Sequence, residues 1–189
     1  IRIEKIAIKD VKMRTFITED TGRNEMVQHV YDITYGTVRP GQDTLVVIDD
    51  SIVRGTTLKE SIIRMLSRLK PKRIVVVSSA PQIRYPDCYG IDMSKMGDFI
   101  AFNATVALMK ERGKEDCLQE LLVKCKDLQR NNQLHTENVV KQLYKQFSTE
   151  DISAKIAQLI TPPGVDIKVD VIFQSIEDLH KSCPNNLGD

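Results

Sequence analysis

The stretch that decides the fold is Leu45–Ile62, LVVIDDSIVRGTTLKESI. It opens with a β-branched apolar run, which is typical of a strand buried on both faces of a parallel sheet. Two acids, Asp49 and Asp50, follow at once, and a short polar turn containing Gly55 then leads into a sequence of helical period. A strand, an acidic pair, a turn and a helix are therefore predicted in direct succession.

The helix after the turn and the next apolar run complete one structural unit. Thr57 and Glu60 have the spacing of a capping box, which predicts that Thr57 caps the helix. A second β-branched run, Arg73–Ala80, follows after a connection of ordinary helical length. This order predicts a βαβ unit with two parallel strands. One helical stripe is formed by Leu58, Ile62, Met65, Leu66 and Leu69.

The rest of the chain is predicted to be mostly helical. Before the βαβ unit, Ile3–Ile17 alternates enough for one or two short strands, and Thr18–Asp43 favours a loop. After Ser94 the predicted elements are helices at Phe99–Arg112, Lys114–Arg130, Thr136–Phe147 and Glu150–Ile160 (capped by Ser148), a strand at Ile167–Phe173 and a short helix at Ser175–Cys183.

Composition excludes several classes of protein. The chain has 189 residues, of which 41% are hydrophobic, and a formal net charge of +1, so no overall field attracts it to nucleic acid or membrane. It contains no apolar run long enough to span a membrane and no signal-peptide pattern, which predicts a cytoplasmic protein. Four cysteines without a C-x-x-C pair predict reduced thiols. The chain starts without Met, and we expect it to be a piece of a longer protein.

The turn after the first strand has the features of a phosphate site. Ligands of open α/β sheets bind beyond the carboxyl ends of the strands, where Ser51–Thr57 falls. A helix start offers free N–H groups to an anion, and Gly55 allows close backbone approach. If Thr57 caps the helix, Thr56 is the better candidate for a phosphate ligand. A plain turn with cap residues and two solvated acids is the alternative, but the register of the whole string favours a ligand.

The two acids need a partner beside a bound phosphate, because three negative groups repel one another. A ribose diol can donate hydrogen bonds to Asp49 and Asp50, and Mg²⁺ can neutralise them. The pattern therefore predicts a ribose that carries a phosphate at one end and a metal-bound group at the other.

The same residues resemble a known family. VVIDDSIVRGTT is similar to the phosphoribosyl pyrophosphate (PRPP) motif of type I phosphoribosyltransferases. With MRTFI upstream and SSAPQIRYPDCYGIDM downstream, the resemblance over Arg14–Met93 extends to the amidophosphoribosyltransferases of purine synthesis. It implies an α/β type I phosphoribosyltransferase fold, a parallel sheet flanked by helices. Residues 1–98 would form the core without its N-terminal part, and residues 99–189 a mostly helical C-terminal extension with one short strand.

The resemblance also implies an activity. Ammonia released from glutamine would displace pyrophosphate from C1 of PRPP, with Asp49 and Asp50 as catalytic and Mg²⁺-binding residues. The glutaminase domain that supplies ammonia is absent from this chain, so the chain by itself is expected to be inactive. PRPP and purine nucleotides are the expected ligands, and a homo-oligomer is expected. The implied substrate-binding residues are Asp49, Asp50, Ser51, Ile52, Val53, Arg54, Gly55, Thr56 and Thr57.

Some residues depart from the family pattern. In the loop expected to be flexible, Arg14 and Arg23 are kept, but Gln28 and Val30 replace cations that would face the pyrophosphate. This difference indicates weak PRPP capture, an altered substrate, or a non-catalytic paralogue acting as a sensor or scaffold; a shifted alignment is the milder explanation. Cys88 lies one residue from a cluster-ligand position, and no iron–sulfur cluster is predicted. Finally, Arg84, Tyr85, Tyr89 and Asp92 could equally line the acceptor side of the site or form a packed loop.

Overall fold

A parallel three-stranded sheet forms the centre of the structure, a computed structural model that describes residues 2–3, 6–9, 31–34, 36–87 and 93–185. Its strands are β3 (Thr44–Asp49), β4 (Arg73–Ser78) and β5 (Lys168–Phe173), paired in the order β3-β4-β5. The pairing aligns Asp49 with Ser78 and Ser78 with Phe173. The carboxyl ends of all three strands therefore meet at one edge, as the predicted βαβ unit requires.

A separate two-stranded sheet precedes it. Strands β1 (Ala7–Lys9) and β2 (Tyr31–Ile33) pair antiparallel. Strand β1 confirms a strand within Ile3–Ile17, whereas β2 shows that the loop prediction for Thr18–Asp43 is wrong at its centre. The backbone groups of β2 are paired by β1, a long-range contact that the local sequence of β2 does not reveal.

Seven helical segments connect and cover these strands in the described part of the chain. Helix α1 consists of a π-helical part, Leu58–Ile63, and an α-helical part, Arg64–Ser67. A 3₁₀ turn, Met96–Asp98, leads into the next helix. The others are α2 (Ile100–Glu111), α3 (Glu115–Arg130), α4 (Val140–Tyr144), α5 (Thr149–Ile160) and α6 (Ile176–Ser182). None of the described helices combines the length and apolar character that crossing a membrane requires.

Helix α4 is much shorter than the predicted helix Thr136–Phe147. The N–H and the hydroxyl of Thr136 both donate to the carbonyl oxygen of Gln133, which closes a turn before the helix. The side chain of Asn138 then accepts a hydrogen bond from the N–H of Lys141 (3.2 Å). Side-chain bonds of this kind start helices, so they delay the beginning of α4.

Among the described residues, helices pack against one face of the parallel sheet. Leu45, Ile74 and Val171 point into the core, where helices α2 and α5 pack. On the other face, Val46 is 62% and Ile48 76% exposed. The prediction that β3 is buried on both faces is therefore wrong. A continuous apolar run is compatible with burial on both faces, but it does not show that other elements cover the second face.

The core is a single hydrophobic cluster that includes residues on both sides of position 98. Its fully buried members include Ile63 and Ile74 before that position and Met109 and Ile156 after it. Strand β5, from the C-terminal region, also pairs directly with β4. The division into parts 1–98 and 99–189 stays a prediction about the chain.

The two predicted helix caps have different outcomes. Ser148 forms a full capping box with Asp151 at the start of α5, as predicted. Thr57, in contrast, has helical backbone angles (φ −61°, ψ −41°) and makes no side-chain capping bond. A capping residue needs an extended backbone, so Thr57 already lies inside the helical segment and the predicted capping box with Glu60 is wrong.

This contrast predicts different costs for two hydroxyl deletions. Ser148→Ala removes a helix cap and should lower the free energy of unfolding by about 1 kcal/mol. Thr57→Ala removes an exposed hydroxyl with no capping bond and should change it by less than about 0.5 kcal/mol. Urea denaturation of the unliganded protein measures both values, and equal costs would contradict the assignment of the caps.

Candidate functional site

The acidic pair lies at the carboxyl end of β3, where the sequence places it. The N–H of Asp50 donates to the carboxylate of Asp49 (3.1 Å), and the N–H of Ser51 donates to the carboxylate of Asp50 (2.7 Å). Asp49 is half-buried, whereas Asp50 is exposed. The two carboxylates are thus held by the backbone at one edge of the sheet, one partly inside and one facing solvent.

The environment of Asp49 disfavours its ionised form. Burial raises the pKa of the Asp49 carboxyl above its usual value, and the neighbouring charge of Asp50 raises it further. A cation or hydrogen-bond donors placed between the two carboxylates would offset both effects. Within the described residues, no group of three or more acidic, histidine or cysteine side chains could hold a metal by itself. Two carboxylates by themselves would leave most ligand positions of a Mg²⁺ to other oxygen atoms.

Ser79 supports the acidic pair from the neighbouring strand. Its N–H donates to the carbonyl oxygen of Asp49 (2.9 Å), and its hydroxyl donates to the carbonyl oxygens of Asp49 (3.3 Å) and Asp50 (3.1 Å). Sequence reasoning did not assign Ser79 to the site. The available signal is its position directly after β4, since neighbouring parallel strands end at the same edge of a sheet.

The loop after the acids is fixed to the beginning of α2. Ile52 is buried in the core with 3% of its surface exposed. The carbonyl oxygen of Val53 accepts a hydrogen bond from the N–H of Ile100 (2.8 Å). The guanidinium of Arg54 lies 3.5 Å from the carboxylate of Asp98. These contacts set the path of the loop, and no local sequence pattern identified Asp98 or Ile100 as their partners.

Gly55 occupies a position where a side chain would be strained and would collide with its neighbours. Its φ is +72°, in the left-handed region that favours glycine. A Cβ atom built on it would lie 2.6 Å from Cδ1 of Ile100 and 2.9 Å from Cγ2 of Ile160. The loop therefore turns sharply while it packs against the beginning of α2 and the end of α5.

The outer side of the loop offers donors to a ligand. Thr56 and Thr57 are exposed, and the hydroxyl of Thr57 is not used as a cap. Both hydroxyls can therefore donate a hydrogen bond to a ligand. The expectation that the Thr57 hydroxyl is used as a helix cap is wrong. Among the described residues, no hydrogen bond engages the N–H groups of Val53 and Gly55. Free N–H groups of this kind, and those at the start of a helix, can bind an anion.

The segment after β4 is a packed loop where it is described. The guanidinium of Arg84 donates to the side-chain oxygens of Gln82 (2.8 Å) and Thr149 (3.2 Å), and lies 5.2 Å from the ring centre of Tyr144. The hydroxyl of Tyr144 donates to the carbonyl oxygen of Arg84 (2.8 Å). Tyr85 meets the Tyr144 ring edge-on at 5.6 Å. For Arg84 these contacts favour the packing interpretation over a role on the acceptor side.

Several predicted residues lie outside the described residues. They are Arg14, Arg23, Gln28, Val30, Cys88, Tyr89 and Asp92. The predictions on the flexible loop, on the absence of an iron–sulfur cluster and on the two acceptor-side residues therefore stay predictions. The three cysteines of the described part, Cys117, Cys125 and Cys183, are free thiols.

Several curated amidophosphoribosyltransferases are similar to the chain, although no family model matches it. The amidophosphoribosyltransferase of Haemophilus influenzae is 47% identical over 62 residues, which is 33% of this chain and 12% of that enzyme. The Escherichia coli enzyme is 45% identical over 62 residues, again 33% of this chain and 12% of that enzyme. The Staphylococcus epidermidis enzyme is 34% identical over 110 residues, or 58% of this chain and 22% of the relative. The matched part is thus a minor fraction of each relative's length.

A solved structure supports the same relationship. The glutamine PRPP amidotransferase of B. subtilis, complexed with ADP and GMP, superimposes on 97% of this chain and 28% of its own, with a TM-score of 0.50 and 25% identity. These findings confirm the resemblance to amidophosphoribosyltransferases. The parallel sheet and its flanking helices fit the α/β phosphoribosyltransferase fold.

The packing of Gly55 predicts a large loss of stability for Gly55→Ala. The strained backbone costs about 1–2 kcal/mol, and the collision with Ile100 and Ile160 adds about 1–3 kcal/mol. Gly41→Ala is a matched control, because Gly41 has φ +69° but no atom within 4 Å of a built Cβ. In urea denaturation, the free energy of unfolding of Gly41→Ala should fall only by the cost of the strained backbone. A Gly55→Ala variant no less stable than Gly41→Ala would contradict the packing described.

The raised pKa of Asp49 predicts that its charge destabilises the unliganded fold. A raised folded-state pKa favours the folded protein at low pH, and this contribution is lost as the pH rises through that pKa. Asp49→Asn should therefore unfold with a higher free energy than the wild type at pH 7. The difference should shrink as the pH falls through the raised pKa of Asp49 and the carboxyl becomes protonated.

Chemical denaturation across this pH range measures the effect. Asp166→Asn, a change at an exposed acid in the turn before β5, is the control and should leave the pH dependence unchanged. A lower stability of Asp49→Asn at pH 7 would show that the carboxylate supports the fold instead.

Proposed function

We propose that the chain forms the PRPP-binding part of an amidophosphoribosyltransferase of purine biosynthesis. The reaction transfers ammonia, released from glutamine, to C1 of PRPP and yields 5-phosphoribosylamine and pyrophosphate. One observation carries the proposal: the acids Asp49 and Asp50 and the donor loop Ser51–Thr57 meet at the same edge of the sheet. The similarity to curated amidophosphoribosyltransferases supports a role in purine biosynthesis.

The donor loop suits the 5′-phosphate of PRPP. The positive φ of Gly55 brings the backbone close to an anion, and the helix that follows adds free N–H groups and the positive end of its dipole. The hydroxyls of Thr56 and Thr57 are exposed on the same short segment and can donate further hydrogen bonds. This set of donors contains no side chain that would have to be deprotonated, so phosphate binding needs no proton transfer.

The acidic pair suits the ribose. A vicinal diol donates two hydrogen bonds, and carboxylates that accept them would relieve the unfavourable charge on Asp49. As pyrophosphate leaves C1, positive charge develops on the ribose ring, and two fixed carboxylates beside the ring favour that charge. Neutral ammonia attacks C1, and the C1–oxygen bond to pyrophosphate breaks; water can take the proton that the resulting ammonium group loses.

Mg²⁺ is the cofactor that fits this arrangement. Asp49 and Asp50 would hold it together with oxygens of the substrate, and it supplies charge neutralisation to the leaving pyrophosphate. The contribution of the protein is to place the carboxylates: the Asp50 N–H holds the carboxylate of Asp49, and the Ser79 hydroxyl holds the backbone carbonyl of Asp50.

Two further expectations belong to the same proposal. A glutaminase domain outside this chain would supply the ammonia, so the chain by itself would not use glutamine. Purine nucleotides are proposed as additional ligands because the B. subtilis neighbour is complexed with ADP and GMP. The alternative of a non-catalytic sensor is not favoured by the similarity to curated enzymes, and the residues that suggested it, Gln28 and Val30, lie outside the described residues.

The proposal predicts Mg²⁺-dependent binding of PRPP by the full-length protein. Calorimetric titration with PRPP should saturate when Mg²⁺ is present and weaken strongly when Mg²⁺ is chelated. Asp50→Asn removes one charge-assisted acceptor and should weaken binding at least about tenfold. Asp166→Asn, a change of the same kind far along the chain, should bind like the wild type. Absence of saturable binding would overturn the assignment of the site.

Activity is tested separately from binding. Formation of phosphoribosylamine from PRPP and free ammonia should be measurable with the full-length protein and should fall in Asp50→Asn. Replacing Gln28 by Arg and Val30 by Lys tests the loop difference. Normal binding without any turnover, and with turnover restored by this double replacement, would support the sensor and reject the enzyme.

A further inference from the structure

Two residues that support the candidate site lie at the two ends of one stretch of chain. Ser79 binds the backbone carbonyls of the acidic pair, and Asp98 contacts Arg54 of the donor loop. Between them the structure describes residues 80–87 and 93–98, which we call the first limb and the second limb. Because the first limb starts directly after Ser79 and the second limb ends at Asp98, a change in the position of either limb affects a support of the site.

Tyr144 in helix α4 contacts both limbs. Its hydroxyl donates to the carbonyl oxygen of Arg84 in the first limb (2.8 Å) and lies 4.0 Å from Sδ of Met96 in the second limb. Its ring meets the ring of Tyr85 edge-on and lies under the guanidinium of Arg84. One side chain from the helical region of the chain therefore connects the two limbs.

The hydroxyl of Tyr144 is a permanent donor inside the protein. Only 2% of the Tyr144 surface is exposed. Burial raises the pKa of Tyr144 above its usual value, so the hydroxyl stays protonated. The carbonyl oxygen of Arg84 that accepts its hydrogen bond is partly buried, and a buried acceptor without a donor is unfavourable. The bond therefore holds the first limb at one place.

Helix α5 holds the first limb at a second point. The side-chain amide of Gln82 donates to the carbonyl oxygen of Thr149 (2.9 Å) and to the hydroxyl of Ser153 (2.9 Å), both in the first turns of α5. The side-chain oxygen of Gln82 accepts a hydrogen bond from the guanidinium of Arg84 (2.8 Å). Because this second anchor remains when the Tyr144 hydroxyl is removed, the limb should shift and not come loose.

We propose that Tyr144 is a positioning residue of the candidate site, which sets the places of Ser79 and Asp98 through the two limbs. Groups that bind a ligand keep their geometry only when the residues around them are fixed. Among the described residues, Tyr144 forms no hydrogen bond with the acidic pair or the donor loop, so its effect on a ligand is indirect. It also lies outside Arg14–Met93, the stretch that resembles the family.

Tyr144→Phe tests the proposal, because it removes the hydroxyl and keeps the ring. The inference rests on the proposed function, since PRPP is the ligand used. Calorimetric titration of the full-length protein with PRPP and Mg²⁺ gives a Kd and a number of sites per chain. The Kd should rise about three- to tenfold, as expected for a residue that acts through intervening contacts. The number of sites should stay at the wild-type value, because a loss of folded protein would lower it.

Two double-mutant cycles show whether Tyr144 acts through the supports. Ser79→Ala and Asp98→Asn each weaken one support, and Tyr144→Phe is added to each of them. In at least one of these backgrounds, Tyr144→Phe should raise the Kd by a smaller factor than it does in the wild type, because the contact through which it acts is already lost. A residue that contributes only to general stability would give equal factors in all three backgrounds.

Thr105→Val controls for the loss of a buried hydroxyl. Thr105 is fully buried in α2, and its hydroxyl donates to the carbonyl oxygen of Ala101 in the same helix (2.7 Å). This variant should bind PRPP with the wild-type Kd. An unchanged Kd in Tyr144→Phe, an equal rise in Thr105→Val, or equal factors in all backgrounds would overturn the inference alone. A wild type that binds no PRPP would overturn the proposed function and, with it, this inference.

Discussion

The close approach of Gly55 to two isoleucines is the constraint on which the site depends. Ile100 begins α2 and Ile160 ends α5, and both side chains leave room only for a glycine hydrogen atom. The loop is therefore held between helices that come from the distant C-terminal half of the chain. The core that buries Ile52 and the hydrogen bond from Ile100 to Val53 fix the same loop from both ends. The positions of the donor groups follow from this packing, not from the loop itself.

The packing of Gly55 stabilises the fold, whereas the acidic pair destabilises the unliganded protein. Half-burial beside Asp50 makes the charge of Asp49 unfavourable in the absence of a ligand. The fold keeps the carboxylates there by means of backbone hydrogen bonds and the hydroxyl of Ser79. A bound cation and a ribose diol would remove the penalty, so part of the stability is gained only on binding.

The outer face of the parallel sheet carries apolar and charged side chains together. Val46 and Ile48 are exposed on it. The register of the strands aligns Val46 with Val75 and Val75 with Asp170, and Asp170 forms ion pairs with Arg73 and Lys168. Within the described residues, this face therefore presents a mixed surface on the same sheet whose edge carries the candidate site.

The sequence by itself determined the βαβ unit, the acids at the end of β3, the donor loop and the Ser148 cap, because each depends on residues that are neighbours in the chain. The tertiary structure decided the rest. It showed that Thr57 lies within the helix and that β3 exposes Val46 and Ile48 on its outer face. It also showed that Ser79, Asp98, Ile100 and Ile160 support the loop. These contacts join residues far apart in sequence, and which distant side chains meet is set by how the helices pack on the sheet. A local pattern can place a site, but only the packing shows what holds it.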